Sequence, residues 1–122
     1  MAYKILVVDD EPHIVMMLEA RLRKNGFEVV TATSGSEAMA KVKQDRPDLI
    51  VLDVMMPVIS GLEVCRMLKE NPVTRAIPVI LLTAKSTERD QTLGISAGAD
   101  SYVTKPYTPE ELLGQIKELL ER

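Results

Sequence analysis

The sequence predicts an α/β fold in which a parallel sheet is covered by helices on both faces. Five short runs of aliphatic or β-branched residues alternate with longer segments of helical spacing, which gives five βα units. Three of the five runs are apolar without alternation, as expected of strands that are buried on both faces. We therefore predict a doubly wound, five-stranded parallel sheet. The predicted strands are residues 4–8, 27–32, 48–53, 77–83 and 100–104.

Capping residues mark the predicted helix boundaries. Three hydroxyl side chains are each followed three residues later by a glutamate, the pattern of a capping box: Ser34 with Glu37, Ser60 with Glu63, and Thr108 with Glu111. Gly26 and Gly98 are typical of helix ends. The first and last helices carry core-facing apolar stripes, formed by Ile14, Val15, Leu18 and Leu22 and by Leu112, Leu113, Ile116, Leu119 and Leu120.

Length and composition indicate a single domain over residues 1–122. The chain is 46% hydrophobic and 27% charged, which is enough apolar material for one core. Its net charge of -3 and the absence of a Lys/Arg run argue against direct binding to nucleic acid or an anionic membrane. Apolar runs are short, so we expect neither a membrane span nor a signal peptide, and a cytoplasmic location. Cys65 is the single cysteine and is expected to be a small core residue rather than a reactive thiol.

Polar residues follow four of the predicted strands. Asp9 and Asp10 follow the first strand, Asp53 ends the third, Thr83 ends the fourth, and Lys105 follows the fifth. In a parallel sheet the carboxyl ends of all strands lie at one edge, where ligands bind. The sequence therefore predicts that these residues converge on one rim.

Most of these residues also have a purely structural interpretation. Asp10 and Glu11 before Pro12 would cap the first helix. Thr83 would make a local hydroxyl bond, and Lys105 would be an ordinary surface lysine. Asp53 has no such role, because its neighbours are predicted to be buried and no helix starts directly after it.

The combination of residues favours a metal site. Three carboxylates within a few ångströms repel by about 1 to 4 kcal/mol per pair at surface-like dielectric, so a cation is needed among them. An oxygen-only ligand set fits Mg²⁺, which takes its remaining ligands from water and phosphate oxygens. A carboxylate can attack phosphorus to give an aspartyl phosphate. Asp53 is the best nucleophile, Asp10 a metal ligand, and Lys105 and Thr83 suit the transferred oxygens.

Four segments carry a family resemblance. "ILVVDDE", "DLIVLDVMMP", "VILLTAK" and "GADSYVTKPY" resemble, in order, the signature segments of response-regulator receiver domains of bacterial two-component signalling, including the chemotaxis receivers. The resemblance implies a flavodoxin-like (βα)5 fold with strand order 2-1-3-4-5. It also implies a phosphoacceptor signalling domain rather than an enzyme.

The resemblance further implies the roles of the rim residues. Asp53 would accept a phosphoryl group from a histidine of a sensor kinase or phosphotransfer protein. Thr83 and Lys105 would bind the phosphoryl oxygens, and Tyr102 would turn inward as Thr83 moves. The Lys105–Pro106 bond would be cis. Mg²⁺ would be held by Asp10, Asp53, the backbone carbonyl of Met55, and Asp9 through water.

The predicted fourth helix, residues 86–97, has few large apolar residues and should be the most weakly held element. By resemblance, this helix, the fifth strand and the last helix form the face that changes on phosphorylation. That face would control a downstream protein target or a covalently linked effector outside this chain.

Several positions vary within the family. Met55 and Lys85 occupy positions that tune hydrolysis of the phosphoryl group, and Met55 cannot hydrogen-bond an attacking water, so self-dephosphorylation should be slow. Ser101 and Gln115 replace an Asp and an Arg common in dimerising receivers. We therefore expect a monomer or a weak, phosphorylation-dependent dimer.

Two other functions are weighed against the phosphoacceptor. A flavin- or nucleotide-binding enzyme of similar topology would need a phosphate-cradling loop after the first strand, where this chain has "DDEP". A receiver-shaped interaction module that is never phosphorylated would usually lack one of the rim residues. His13 is expected to be a surface residue, and most methionines are expected to fill the core.

Overall fold

Residues 2–83 and 97–121 are described by the computed structural model. Five parallel strands form one sheet in the order β2-β1-β3-β4-β5, which confirms the predicted fold class and strand order. The strands are β1 (Lys4–Val8), β2 (Glu28–Ala32), β3 (Leu49–Asp53), β4 (Val79–Thr83) and β5 (Ser101–Thr104). The helices within the described ranges are α1 (Pro12–Lys24), α2 (Gly35–Asp45), α3 (Gly61–Glu70) and α4 (Pro109–Leu120).

The three predicted capping boxes begin helices as expected. Ser34, Ser60 and Thr108 each accept a hydrogen bond from the glutamate amide three residues on, at 3.1, 3.2 and 3.2 Å. The capping interpretation of Asp10 and Glu11 is wrong. The N-cap of α1 is Glu11, and its side chain makes no capping bond. The Glu11 amide instead donates to Oδ1 of the buried Asp9, two residues earlier, at 3.0 Å.

Alternate residues of each central strand enter two separate apolar clusters, one on each face of the sheet. Ile5 and Val7 of β1 pack with α1 and α4, whereas Leu6 and Val8 pack with α2 and α3. The predicted helix stripes lie against the sheet, with Leu18, Leu22, Leu112, Ile116 and Leu119 buried. Helices on both faces explain why β1, β3 and β4 show no polar alternation.

Other sequence predictions had mixed outcomes. Gly26 and Gly98 have φ of +91° and +86°, as expected of chain reversals. Four methionines are exposed, Met16, Met17, Met55 and Met67, so the prediction that methionines mostly fill the core is wrong. Their long, flexible side chains carry no sequence periodicity that marks them as exposed.

The predicted helix over 86–97 lies outside the described residues except at its end, where Ala97 belongs to a turn. Lys85 also lies outside them. In the described ranges, no helix has the length and apolar character needed to cross a membrane.

Candidate functional site

The chain reverses its winding direction between β1 and β3, at the centre of the sheet. From β1 the chain runs outward to β2, and from β3 it runs the other way to β4 and β5. Such a switch point leaves a crevice at the carboxyl ends of the two strands. Val8 pairs with Leu52, so Asp9 and Asp53 follow paired residues and stand side by side.

Three carboxylates meet in this crevice. Asp9, Asp10 and Asp53 each present a carboxylate oxygen within 4.8 Å of the others. Asp9 is only 1% exposed and Asp53 only 4%, whereas Asp10 is partly exposed. The predicted convergence of these three residues is therefore observed.

Lys105 faces the carboxylates from the far side of β4. Its Nζ donates to Asp53 Oδ1 at 3.1 Å and lies 3.9 Å from Asp9 Oδ2. Its backbone amide donates to the carbonyl oxygen of Thr83 at 2.6 Å. One ammonium cannot neutralise three carboxylates, so the crevice keeps an excess of negative charge.

Burial dominates the electrostatics of the two buried acids. Loss of solvent raises the pKa of Asp53, while the Lys105 ammonium and the Met55 amide act in the opposite direction. Burial also raises the pKa of Asp9, against the hydrogen bond from the Glu11 amide. The negative charge of Asp53 raises the pKa of Asp9 further. Each carboxylate therefore makes ionisation of the other less favourable.

One oxygen in the crevice lacks the partner that its burial requires. Asp9 Oδ2 is buried and accepts no hydrogen bond from any described residue. Together with the oxygens of Asp10 and Asp53 it forms a hard, oxygen-only donor set, which suits Mg²⁺ and not a thiophilic metal. The residues present therefore fit the ion predicted from the sequence.

The loop after β3 is held tightly against Asp53. A Cβ at Gly61 would overlap the Asp53 carbonyl oxygen, so only glycine fits this position. The Gly61 amide also donates to the Val54 carbonyl at 3.0 Å. Sequence reasoning missed this contact, although a glycine one residue after the capping Ser60 was its signal. Met55 turns its side chain outward, 70% exposed, while its amide reaches the Asp53 carboxylate.

The remaining predicted residues lie around the rim. Thr83 ends β4 and is buried, and Tyr102 on β5 is half-buried against the cluster under α2 and α3. The Lys105–Pro106 bond is cis, as expected. Ser101 Oγ donates to Gln115 Oε1 within the chain at 2.7 Å. His13 is exposed and Cys65 is buried, as predicted.

A doubly wound parallel sheet with an acidic triad and a lysine at its switch point defines a class of signalling domain. The sequence profile of the response regulator receiver domain matches residues 5–117. The chain therefore belongs to the response regulator receiver family of two-component signal transduction. This membership confirms the resemblance to receiver domains.

Individual relatives agree with the family. The chain is 47% identical over 119 residues to the alkaline phosphatase synthesis transcriptional regulatory protein PhoP of Bacillus subtilis (strain 168), covering 98% of this chain and 49% of that protein. It is 42% identical over 122 residues to the DNA-binding response regulator MtrA of Mycolicibacterium smegmatis, covering 100% of this chain and 52% of MtrA. The chain thus spans about half the length of these relatives.

A solved structure shows the same fold. The chemotaxis response regulator CheY4 of Vibrio cholerae superposes with a TM-score of 0.91 at 34% identity, covering 98% of this chain and 99% of that chain. The sequence similarity therefore extends to the three-dimensional arrangement of the sheet and helices.

Proposed function

We propose that this receiver accepts a phosphoryl group on Asp53 in a Mg²⁺-dependent reaction, with a phosphohistidine of a sensor kinase or phosphotransfer protein as the donor. The observation that carries the proposal is the buried Asp9 Oδ2 beside the Asp53 carboxylate, which accepts no hydrogen bond from the described residues. A crevice built only for stability would not retain such an oxygen.

The chemistry follows from the position of Asp53. One of its carboxylate oxygens attacks phosphorus, and the new P–O bond forms as the P–N bond to the donor histidine breaks. The electron pair of the broken bond returns to the imidazole, which takes up a proton. Lys105 favours the ionised, nucleophilic form of Asp53 through its 3.1 Å hydrogen bond. Lys105 and Thr83 then bind the oxygens of the transferred group.

The metal would be held by Asp10, Asp53 and the Met55 carbonyl, with Asp9 acting through water. When bound, Mg²⁺ supplies the positive charge that offsets the carboxylates and the phosphoryl oxygens. Asp53 would thus both contact the ion and carry the reacting oxygen, while Asp9 and Asp10 would serve the ion alone.

Intact mass after incubation with acetyl phosphate and Mg²⁺ tests this proposal. Here acetate leaves as the P–O bond to phosphorus breaks, so one phosphoryl group should be gained. Asp53→Asn should gain none, EDTA should abolish the gain, and Glu70→Gln, an exposed acid at the end of α3, should behave as the wild type. A gain of equal size in Asp53→Asn would contradict Asp53 as the acceptor.

Residues around Asp53 would also affect the lifetime of the phosphoryl group and the signalling output. Met55 turns away from Asp53 and offers no side-chain hydrogen bond to water, which supports slow self-dephosphorylation. A decay rate that is unchanged or lower in Met55→Asn would count against this. Tyr102 and Thr83 would report phosphorylation to the face that carries β5 and α4.

Residues 1–122 would act as one receiver module that signals rather than catalyses a reaction on a separate substrate. Its output would pass to a protein target or to an effector outside this chain, without direct contact to nucleic acid. The neutral Ser101–Gln115 bond supports a monomer or a weak dimer, since neither group supplies a charge for pairing between copies. Sedimentation with and without phosphorylation tests this, and a tight unphosphorylated dimer would contradict it.

A further inference from the structure

A second charged cluster lies at the opposite end of the sheet from the acidic crevice. Lys69, in the last turn of α3, has a side chain that is only 14% exposed. Its ammonium donates to the carbonyls of Arg75 and Ile77 at 3.0 and 2.8 Å, and to Asp100 Oδ2 at 2.7 Å. All three donors of the ammonium are used, so the group is fully satisfied where it lies.

Asp100 connects this ammonium to the start of two strands. Its Oδ2 also accepts from the Val79 amide at 2.8 Å, and its own amide donates to the Val79 carbonyl at 3.0 Å. Gly98 packs directly on the Lys69 stem, since a Cβ there would lie 3.0 Å from Lys69 Cγ. We call the Lys69 ammonium and the Asp100 carboxylate the Lys69 clamp. The clamp fixes the amino ends of β4 and β5 to each other.

The Lys69 clamp holds the start of β5, and Lys105 directly follows the end of that strand. β5 is an edge strand of four residues, paired only with β4 among the described strands. Short edge strands have few ladder bonds to specify their register. From Asp100 to Lys105 the chain advances about 16 Å at strand spacing, which takes it from the clamp to the crevice.

We propose that Lys69 and Asp100 are positioning residues that fix the register of β5 and thereby hold the Lys105 ammonium against Asp53. A slip of β5 along β4 would break the Asp100–Val79 pair and the Lys105–Thr83 hydrogen bond together. The clamp opposes that slip because moving β5 would separate the Asp100 carboxylate from the Lys69 ammonium and the Val79 amide. The effect on phosphorylation rests on the proposed function, whereas the effect on β5 does not.

Amide hydrogen exchange tests the structural step. Lys69→Met keeps the stem that packs on Gly98 and removes the ammonium, and Asp100→Asn removes the charge. In both variants the Lys105 amide should exchange about tenfold faster. The Val54 amide is the internal reference. It donates to the Leu82 carbonyl of β4 at 3.0 Å, and it lies on the side of β4 away from β5. It should change much less.

Arg23→Gln is the matched control. Arg23 pairs with Glu19 at 3.0 Å and donates to the Val29 carbonyl of β2, the edge strand on the other side of the sheet. Its loss should leave the Lys105 amide unchanged. Equal acceleration of the Lys105 and Val54 amides in the clamp variants, or no acceleration of either, would overturn the proposal.

A double-mutant cycle tests the functional step. The clamp variants should slow phosphorylation by acetyl phosphate severalfold, and should cause no further slowing in a Lys105→Ala background. Equal slowing in both backgrounds would show that the clamp acts through stability and would overturn its positioning role. If the wild type gains no phosphoryl group, the proposed function fails, and the exchange measurement alone still decides whether the clamp fixes β5.

Discussion

At the scale of single residues, Asp53 lies where a carboxylate opposes folding. It is buried at the end of an apolar strand, next to Asp9, and its carboxylate is contacted by the Lys105 ammonium and the Met55 amide. Burial raises its pKa above the ordinary value of 3.8. The folded protein therefore binds this proton more tightly than the unfolded chain does. The contribution of Asp53 to the free energy of unfolding is fully present below pH 3.8. It is lost as the pH rises through the pKa that Asp53 has in the folded protein.

We predict that Asp53→Asn stabilises the protein at neutral pH. The amide keeps an acceptor for Lys105 and removes the buried charge, so the free energy of unfolding at pH 7 should rise by about 1 kcal/mol. The gain should be smaller at pH 4 than at pH 7, because the raised pKa of the wild-type carboxyl lets it take up its proton as the pH falls. Urea denaturation at both pH values measures this, with Glu70→Gln as the control. A gain of equal size at both pH values would contradict the pKa argument.

Gly61 supports the same site through the backbone. We predict that Gly61→Ala destabilises the protein by about 3 kcal/mol or more, because the new Cβ would overlap the Asp53 carbonyl oxygen. Gly114→Ala is the matched control, since a Cβ there meets nothing within 4 Å and α4 gains helix propensity. That control should stabilise by about 0.5 to 1 kcal/mol. Equal effects of the two substitutions in thermal denaturation would refute the steric argument.

At the scale of elements, the loop between β3 and α3 contains the clearest backbone strain. Val58 has φ of +68° and is 97% exposed, although a β-branched residue is strongly disfavoured in the left-handed region. The amides of Met56 and Gly61, one before and one after Val58, both donate hydrogen bonds to the Val54 carbonyl. The surrounding bonds therefore impose this conformation on a side chain that gains no packing from it.

We predict that Val58→Gly raises the free energy of unfolding by about 1 kcal/mol, because the strain released exceeds the chain entropy that glycine adds. Val73→Gly is the control, as Val73 is an exposed loop valine without a positive φ, and it should be neutral or slightly destabilising. Chemical denaturation compares the two. A loss of stability in Val58→Gly similar to that in Val73→Gly would show that the strain is small.

At the scale of the whole molecule, sequence reasoning succeeded where the signal is local or periodic. Apolar runs placed every strand to within two residues, and the three capping boxes placed the helix starts. The convergence of Asp9, Asp10, Asp53 and Lys105 also followed, because parallel strands share one edge. Partners brought together by the fold were not predictable. The Lys69–Asp100 pair, 31 positions apart, has no sequence pattern, and the contact of Gly61 with Asp53 had only the glycine after the capping Ser60 as its signal.

Cys65 gives a measure of the opening of the whole core. Its thiol is buried and contacts the Ala97 carbonyl, and burial raises its pKa to about 11. We predict that a thiol reagent at pH 8 labels the folded protein at least about 1,000-fold more slowly than the urea-unfolded chain, at a rate that follows unfolding. Gly61→Ala should accelerate the labelling. Native labelling at a rate near that of the unfolded chain would show that this face opens without global unfolding.

The sheet divides the core into two apolar clusters, and this division affects how the core residues of such a domain can vary among relatives. Because the described side chains under α2 and α3 form a cluster separate from the one under α1 and α4, a substitution on one face should change the energy of the other face little. Val42→Ala and Ile116→Ala, one on each face, should therefore be additive in the free energy of unfolding to within about 0.5 kcal/mol. A larger coupling would contradict this independence. Lineages that keep the acidic crevice can then exchange the residues of one face while the other stays the same.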